Sequence, residues 1–136
     1  MQTCTRCSRT LPITEFHKRT DRKKSIQSAC RDCTNRATAV WRLKVRKETV
    51  AAYGGQCQCC GETELDFLSI DHINGGGTRE RRGTKLGGVN FYSQLRKQGW
   101  PSDYRILCHN CNQAMWFHGS CPHGRLTNHS GLPLTI

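Results

Sequence analysis

Asp71 and His72 stand side by side at the end of the apolar run LDFLSI, are followed by INGGG, and lie between the cysteine pairs Cys57/Cys60 and Cys108/Cys111. A carboxylate at Asp71 and an amide oxygen at Asn112 are hard oxygen donors. They suit Mg²⁺, or Mn²⁺ as an alternative, an ion that keeps water or a substrate phosphate in its remaining positions. His72 is not needed as a ligand. A neutral imidazole beside a metal-bound phosphate can take a proton from an attacking water while the metal stabilises the developing charge.

Something must hold these residues together, and the cysteines are the candidates. Four C-x-x-C pairs occur: Cys4/Cys7, Cys30/Cys33, Cys57/Cys60 and Cys108/Cys111. Two thiolates on a tight turn can meet one tetrahedral zinc at about 2.3 Å each, and a second such turn completes a four-sulfur site. Two structural Zn²⁺ follow, one on Cys4, Cys7, Cys30 and Cys33 and one on Cys57, Cys60, Cys108 and Cys111. The second would bring the strand ending in Asp71-His72 beside the helix that carries Asn112. Cys59 and Cys121 are left over: Cys59 sits inside its knuckle, and Cys121 with His123 is a third metal fragment or nothing.

The composition bounds the rest. A chain of 136 residues with 35% hydrophobic content makes one ordinary domain or two very small ones, too small to bury enough apolar surface unaided. The N-terminus MQTCTRCSRT has no apolar core of signal-peptide length, and no stretch approaches the roughly 18 apolar residues of a membrane span. An intracellular protein is therefore expected, where thiols stay reduced and bind metal rather than pair. Residues 1–50 carry 13 Lys+Arg against 4 Asp+Glu, and the whole chain has a formal charge of +11. Two four-thiolate zinc sites would lower that to about +7. The chain stays basic, which points to nucleic acid as partner rather than a membrane, since no amphipathic apolar face accompanies the charge. With no zipper pattern or long apolar face, a monomer is expected.

Four segments are expected. Residues 1–34 read as a zinc ribbon: a short hairpin between two knuckles, with Leu11, Ile13, Phe16 and Ile26 as its apolar patch and the polar run TDRKKS as a turn. Residues 35–52 contain no breaker and favour helix. That basic linker helix carries Arg42, Lys44, Arg46 and Lys47, placed to meet phosphates or merely solvated. Residues 53–119 hold a knuckle, a strand through LDFLSIDHI, the aperiodic loop GGGTRERRGTKLGG, a helix over VNFYSQLRKQG, a strand YRILC and a helix opening at HNCNQAMWFH. In the loop, Arg79, Arg81 and Arg82 are further candidates for phosphate contact. Residues 120–136 read as an irregular tail.

LDFLSIDHINGGG followed by YRILCHNCNQA resembles the HNH endonuclease family, whose fold is two antiparallel strands and a helix around a catalytic metal, the ββα-metal arrangement. The surrounding cysteine pairs resemble the zinc-bound members found in phages, the recombination-endonuclease type, and CTRC to CRDC resembles the zinc ribbon often fused in front of phage nucleases. The resemblance spans roughly residues 53–118. It implies a small α+β fold, a zinc-stabilised ββα-metal domain preceded by a zinc ribbon and a connecting helix. It also implies hydrolysis of DNA phosphodiester bonds in the cytoplasm of a bacterial host, with His72 as general base and Asp71 and Asn112 on the catalytic ion.

Many family members place a metal-binding histidine three or four residues after the helix asparagine, where this chain has Met115 and Trp116. His118 lies more than one and a half turns beyond Asn112 and is expected to face elsewhere. The family's middle asparagine has two candidates, Asn90 and Asn110. Asn112 could instead cap its helix, and His109 reads as a spacer within the knuckle. The alternative of another class is a non-catalytic zinc-dependent module that binds nucleic acid. It has no chemical need for a base and a hard-metal site together. RNA cleavage is a further reading, because this chemistry does not select the sugar.

Overall fold

The computed structural model of the chain describes residues 1–19 and 25–124, with the side chain of Arg81 also excepted. The turn expected over Thr20 to Lys24, and the tail beyond residue 124, lie outside the described residues. The fold is small α+β, and the chain divides into two compact units, residues 1–44 and the residues from 45 onward.

In the first unit β1 (Gln2–Thr3) pairs antiparallel with β2 (Thr10–Leu11), and β3 (Phe16–Lys18) pairs antiparallel with β4 (Ile26–Cys30) across a register shift. Phe16 is buried against Cys4, Cys30 and Cys33, with Leu11, Ile26 and Ala29 packed around them. Ile13 differs from its expected place in this patch. It lies on a single 3-10 turn and is 49% exposed. Helix α1 (Arg31–Ala52) starts directly after β4, earlier than the sequence suggests, because the Cys30–Cys33 turn is itself the strand-to-helix junction. The division between units falls inside α1, after Lys44.

The second unit is built on β5 (Leu68–His72). After β5 come α2 (Gly77–Thr84), α3 (Val89–Lys97), β6 (Tyr104–Cys108) and α4 (His109–His118). Strands β5 and β6 pair antiparallel along their full length, from Leu68 opposite Cys108 to His72 opposite Tyr104. Leu68, Ile106 and Leu107 are fully buried with Val50, Cys57, Cys59, Cys111 and Met115 in one core. Cys108 and Cys121 belong to it too, so half of that core is cysteine, as expected of a unit whose apolar content is too small to hold it unaided.

The expected loop over GGGTRERRGTKLGG contains α2. Gly75 and Gly76 take φ of +70° and +91°, turning the chain out of β5. The helix begins at the next residue and is closed by the Thr84 hydroxyl donating to the Glu80 carbonyl. Weak intrinsic propensity is overridden by contacts that Glu80 makes elsewhere. No helix among the described residues is long and apolar enough to cross a membrane.

Candidate metal centres and active site

Two four-cysteine groups stand where the spacing places them. In each, the sulfurs of Cys4, Cys7, Cys30 and Cys33, or of Cys57, Cys60, Cys108 and Cys111, all lie within 4.8 Å of one another. A tetrahedron with Zn–S near 2.3 Å has S···S edges of about 3.8 Å. Cys7 and Cys30 are separated by 3.9 Å, and Cys60 and Cys108 by 3.7 Å. Both groups therefore fit structural Zn²⁺. They share one design: the second pair of each straddles the end of a strand and the first turn of a helix.

Backbone N–H groups stabilise the thiolates. Cys4 Sγ accepts from the Cys30 N–H at 3.2 Å and the Arg6 N–H at 3.4 Å. The Cys30 N–H is the main reason that the Cys4 thiol is lowered to about 6, against burial, with Cys7 and Arg6 adding to it. Arg9 Nε donates to Cys7 Sγ at 3.4 Å, and Arg36 lies 3.9 Å from Cys33 Sγ. These guanidiniums offset the net negative charge of a four-thiolate zinc. Cys108 caps α4, its Sγ accepting from the Cys111 N–H. Asn112 is therefore not the cap of its helix.

Asp71, His72 and Asn112 line one cavity of about 490 Å³, together with Gly77, Glu80, Phe91, His109 and Trp116. Side chains alternate along a strand, so Ser69 and Asp71 share one face of β5 while Ile70 and His72 share the other. Asn112 Nδ2 donates to Ser69 Oγ at 3.1 Å, and that hydroxyl donates to the Leu107 carbonyl at 3.3 Å. With its N–H₂ group tied to β5, Asn112 has its carbonyl oxygen as the remaining donor for a ligand.

Asp71 has a partner that the sequence reading missed. Arg105 lies directly opposite it across the strand pair, and Arg105 Nε donates to Asp71 Oδ2 at 2.7 Å, with side chains 7% and 18% exposed. One carboxylate oxygen is thus fixed by Arg105. With the other oxygen and the Asn112 carbonyl oxygen, the donor set fits a hard cation that keeps most of its waters.

His72 is held on three sides. Its Nε2 lies 2.5 Å from Glu80 Oε2, while the Tyr104 hydroxyl donates to Glu80 Oε1 at 2.9 Å. Phe91 stacks on the ring at 5.9 Å between centroids, and Tyr104 meets it edge-on at 4.9 Å. Burial works against the charge of Glu80, but hydrogen bonds from His72 and Tyr104 outweigh it and hold the carboxyl below its ordinary value. An ionised Glu80 only accepts, so Nε2 carries the hydrogen, which leaves Nδ1 as the ring nitrogen that can hold a lone pair. Gly77 borders that atom: a Cβ there would stand 2.8 Å from Nδ1. Of the three glycines, Gly77 is the one whose missing side chain matters to the imidazole.

The basic residues separate into two kinds. Arg42, Lys44 and Lys47 on α1 and Arg79 and Arg82 on α2 are exposed, while the side chain of Arg81 lies outside the described residues. Arg46 is half-buried, and its guanidinium donates to the carbonyls of Leu65 at 2.7 Å and Leu68 at 3.2 Å and so braces the entry to β5. His109 Nε2 meets the Asp66 carbonyl at 3.2 Å, more than a spacer would do. Glu80 gave no spacing signal, being eight residues from His72 in an arginine-rich stretch. Arg105 and Tyr104 were accessible in principle, since pairing YRILC antiparallel against LSIDH places them opposite Asp71 and His72. Compared with protein-family models, curated proteins and solved structures, the chain matches none.

Proposed function

We propose that the chain is a metal-dependent HNH endonuclease of the zinc-bound, phage type, its second unit a ββα-metal nuclease domain and its first a zinc ribbon, which hydrolyses DNA phosphodiester bonds. The observation that carries this reading is the convergence of Asp71, His72 and Asn112 on one cavity, from a strand pair and the helix that follows it.

His72 Nδ1 accepts the proton of the attacking water. Glu80 keeps the ring in the required tautomer and orientation and stabilises the imidazolium that forms, as a buried carboxylate behind a catalytic histidine does. The lack of a side chain at Gly77 keeps a Cβ from crowding Nδ1. Arg105 fixes Asp71, and Ser69 fixes Asn112. A bound Mg²⁺ or Mn²⁺ would be held by Asp71 and Asn112 and would stabilise charge on the phosphate and on the departing oxygen. The exposed Arg42, Lys44, Lys47, Arg79 and Arg82 supply affinity for the phosphate backbone without sequence information. The thiol-rich metal sets suit the reducing interior of a cell.

The test is incubation of supercoiled plasmid with the purified, zinc-loaded protein in Mg²⁺, in Mn²⁺ and in EDTA. Nicked or linear product with added metal and none in EDTA supports the reading. DNA binding without cleavage under any metal would favour a non-catalytic binding module.

A further inference from the structure

We propose that the second unit binds two zinc ions rather than one, sharing the Cys111 thiolate: one on Cys57, Cys60, Cys108 and Cys111, the other on Cys59, Cys111, Cys121 and His123. The ligand atoms of the second set also lie within 4.8 Å of one another. His123 Nδ1 is 3.2 Å from Cys121 Sγ, 3.4 Å from Cys111 Sγ and 4.0 Å from Cys59 Sγ. For a tetrahedral zinc with Zn–S near 2.3 Å and Zn–N near 2.0–2.1 Å, the N···S edge is about 3.6 Å, in the middle of those three distances.

The chain is shaped to make this set. Gly119 ends α4 in the left-handed conformation, with φ of 69°, and so turns the chain away from the helix axis. A turn closed by the Gly124 N–H on the Cys121 carbonyl at 2.8 Å then brings His123 back towards the sulfurs. Cys59 occupies the middle of the Cys57–Cys60 knuckle, so its own thiol is available to a second ion.

Buried cysteines are ordinarily small apolar fillers, and Cys59, Cys111 and Cys121 are buried at 0%, 0% and 4% exposure. Filling alone gives no reason for an imidazole nitrogen, on a residue that is itself exposed, to be set against all three sulfurs. None of the three is in a disulfide.

The thiols lose their protons to solvent on binding, and His123 binds neutral through Nδ1. Two Zn²⁺ against six thiolates leave a net charge of −2 on the pair, and the doubly bound Cys111 carries the least negative charge of the six. Four protein ligands make each ion closed and structural. The second ion would clamp the segment after α4 onto the helix at the residue next to Asn112.

The test is zinc stoichiometry of the full chain by native mass spectrometry, with ¹¹³Cd NMR of the cadmium-exchanged protein. Three zinc ions per chain are expected, counting the one in the first unit, and cadmium should show a pair of resonances coupled through a shared sulfur. His123→Ala, at an exposed position, should drop the count to two with the fold retained, and Cys121→Ser should do the same. Two ions in wild type with no change in His123→Ala would overturn the proposal, and so would three ions without coupling between any two. Neither readout depends on whether the chain cleaves DNA.

Discussion

Glu80 receives a hydrogen bond from His72 Nε2 and a second from the Tyr104 hydroxyl, so the imidazole next to Asp71 is held by a carboxylate from a different element. Glu80→Gln keeps the size of the side chain but removes the charge that fixes the tautomer. Plasmid cleavage should fall by about 10- to 100-fold, as is common when a supporting hydrogen-bond partner is lost, while zinc content is unchanged and the melting temperature near neutral pH falls modestly. An unchanged rate would remove Glu80 from the mechanism.

Gly77 and Gly83 lie on the same helix and predict opposite outcomes. An added Cβ at Gly83 meets nothing within 4 Å, whereas at Gly77 it crowds His72 Nδ1. Gly83→Ala should raise stability by up to about 1 kcal/mol, the helical advantage of alanine, and leave cleavage intact. Gly77→Ala should gain no stability and lose cleavage on the order of 10²-fold, since a displacement of about 1 Å at a reacting group costs that much. Thermal melts alongside plasmid nicking separate the two.

The Asp71–Arg105 pair is nearly enclosed, so removing one member strands the other. Arg105→Met should destabilise the second unit by about 3–5 kcal/mol, the usual cost of leaving a buried charge unpaired. Urea denaturation at constant zinc load measures it. A loss below about 1 kcal/mol would mean that the pair behaves as a surface contact.

The pH dependence has a defined sign at each end. Burial, with Glu80 adding to it, pushes the Tyr104 phenol up to about 12, so the fold favours the neutral phenol. That stabilisation is complete below the ordinary value of about 10 and is lost as pH rises through about 12. Glu80, held below its ordinary value, contributes stability that is complete above the usual carboxylate range and is lost as pH falls through its folded value. A phenolate absorbance titration should lack its latest-titrating step in Tyr104→Phe. Melting curves should show an acid loss in wild type that is reduced in Glu80→Gln.

What the sequence revealed and what it hid have physical reasons. The C-x-x-C pairs were legible because tetrahedral thiolate coordination restricts spacing so tightly. β5 and β6 were legible because their apolar patterns match the core they bury, whereas α4 buries only Cys111 and Met115 and leaves Trp116 and Phe117 exposed. The helix α2 was hidden, since Gly77 and Gly83 weaken the helical signal, no apolar residue gives it a period, and its anchor, Glu80 on His72, is a tertiary contact. Arg105 and Tyr104 follow only from strand register. Cys59, Cys121 and His123 were visible as metal-binding types, but their meeting at Cys111 depends on the turn after Gly119.

The central claim is that His72 removes the proton from the attacking water, and the rate of plasmid nicking by His72→Ala tests it most directly. Wild type and variant should be compared in Mg²⁺ at equal zinc load and equal DNA binding. The account predicts a loss of about 10²- to 10⁴-fold, the usual contribution of a general base. A variant that cuts as fast as wild type would contradict it.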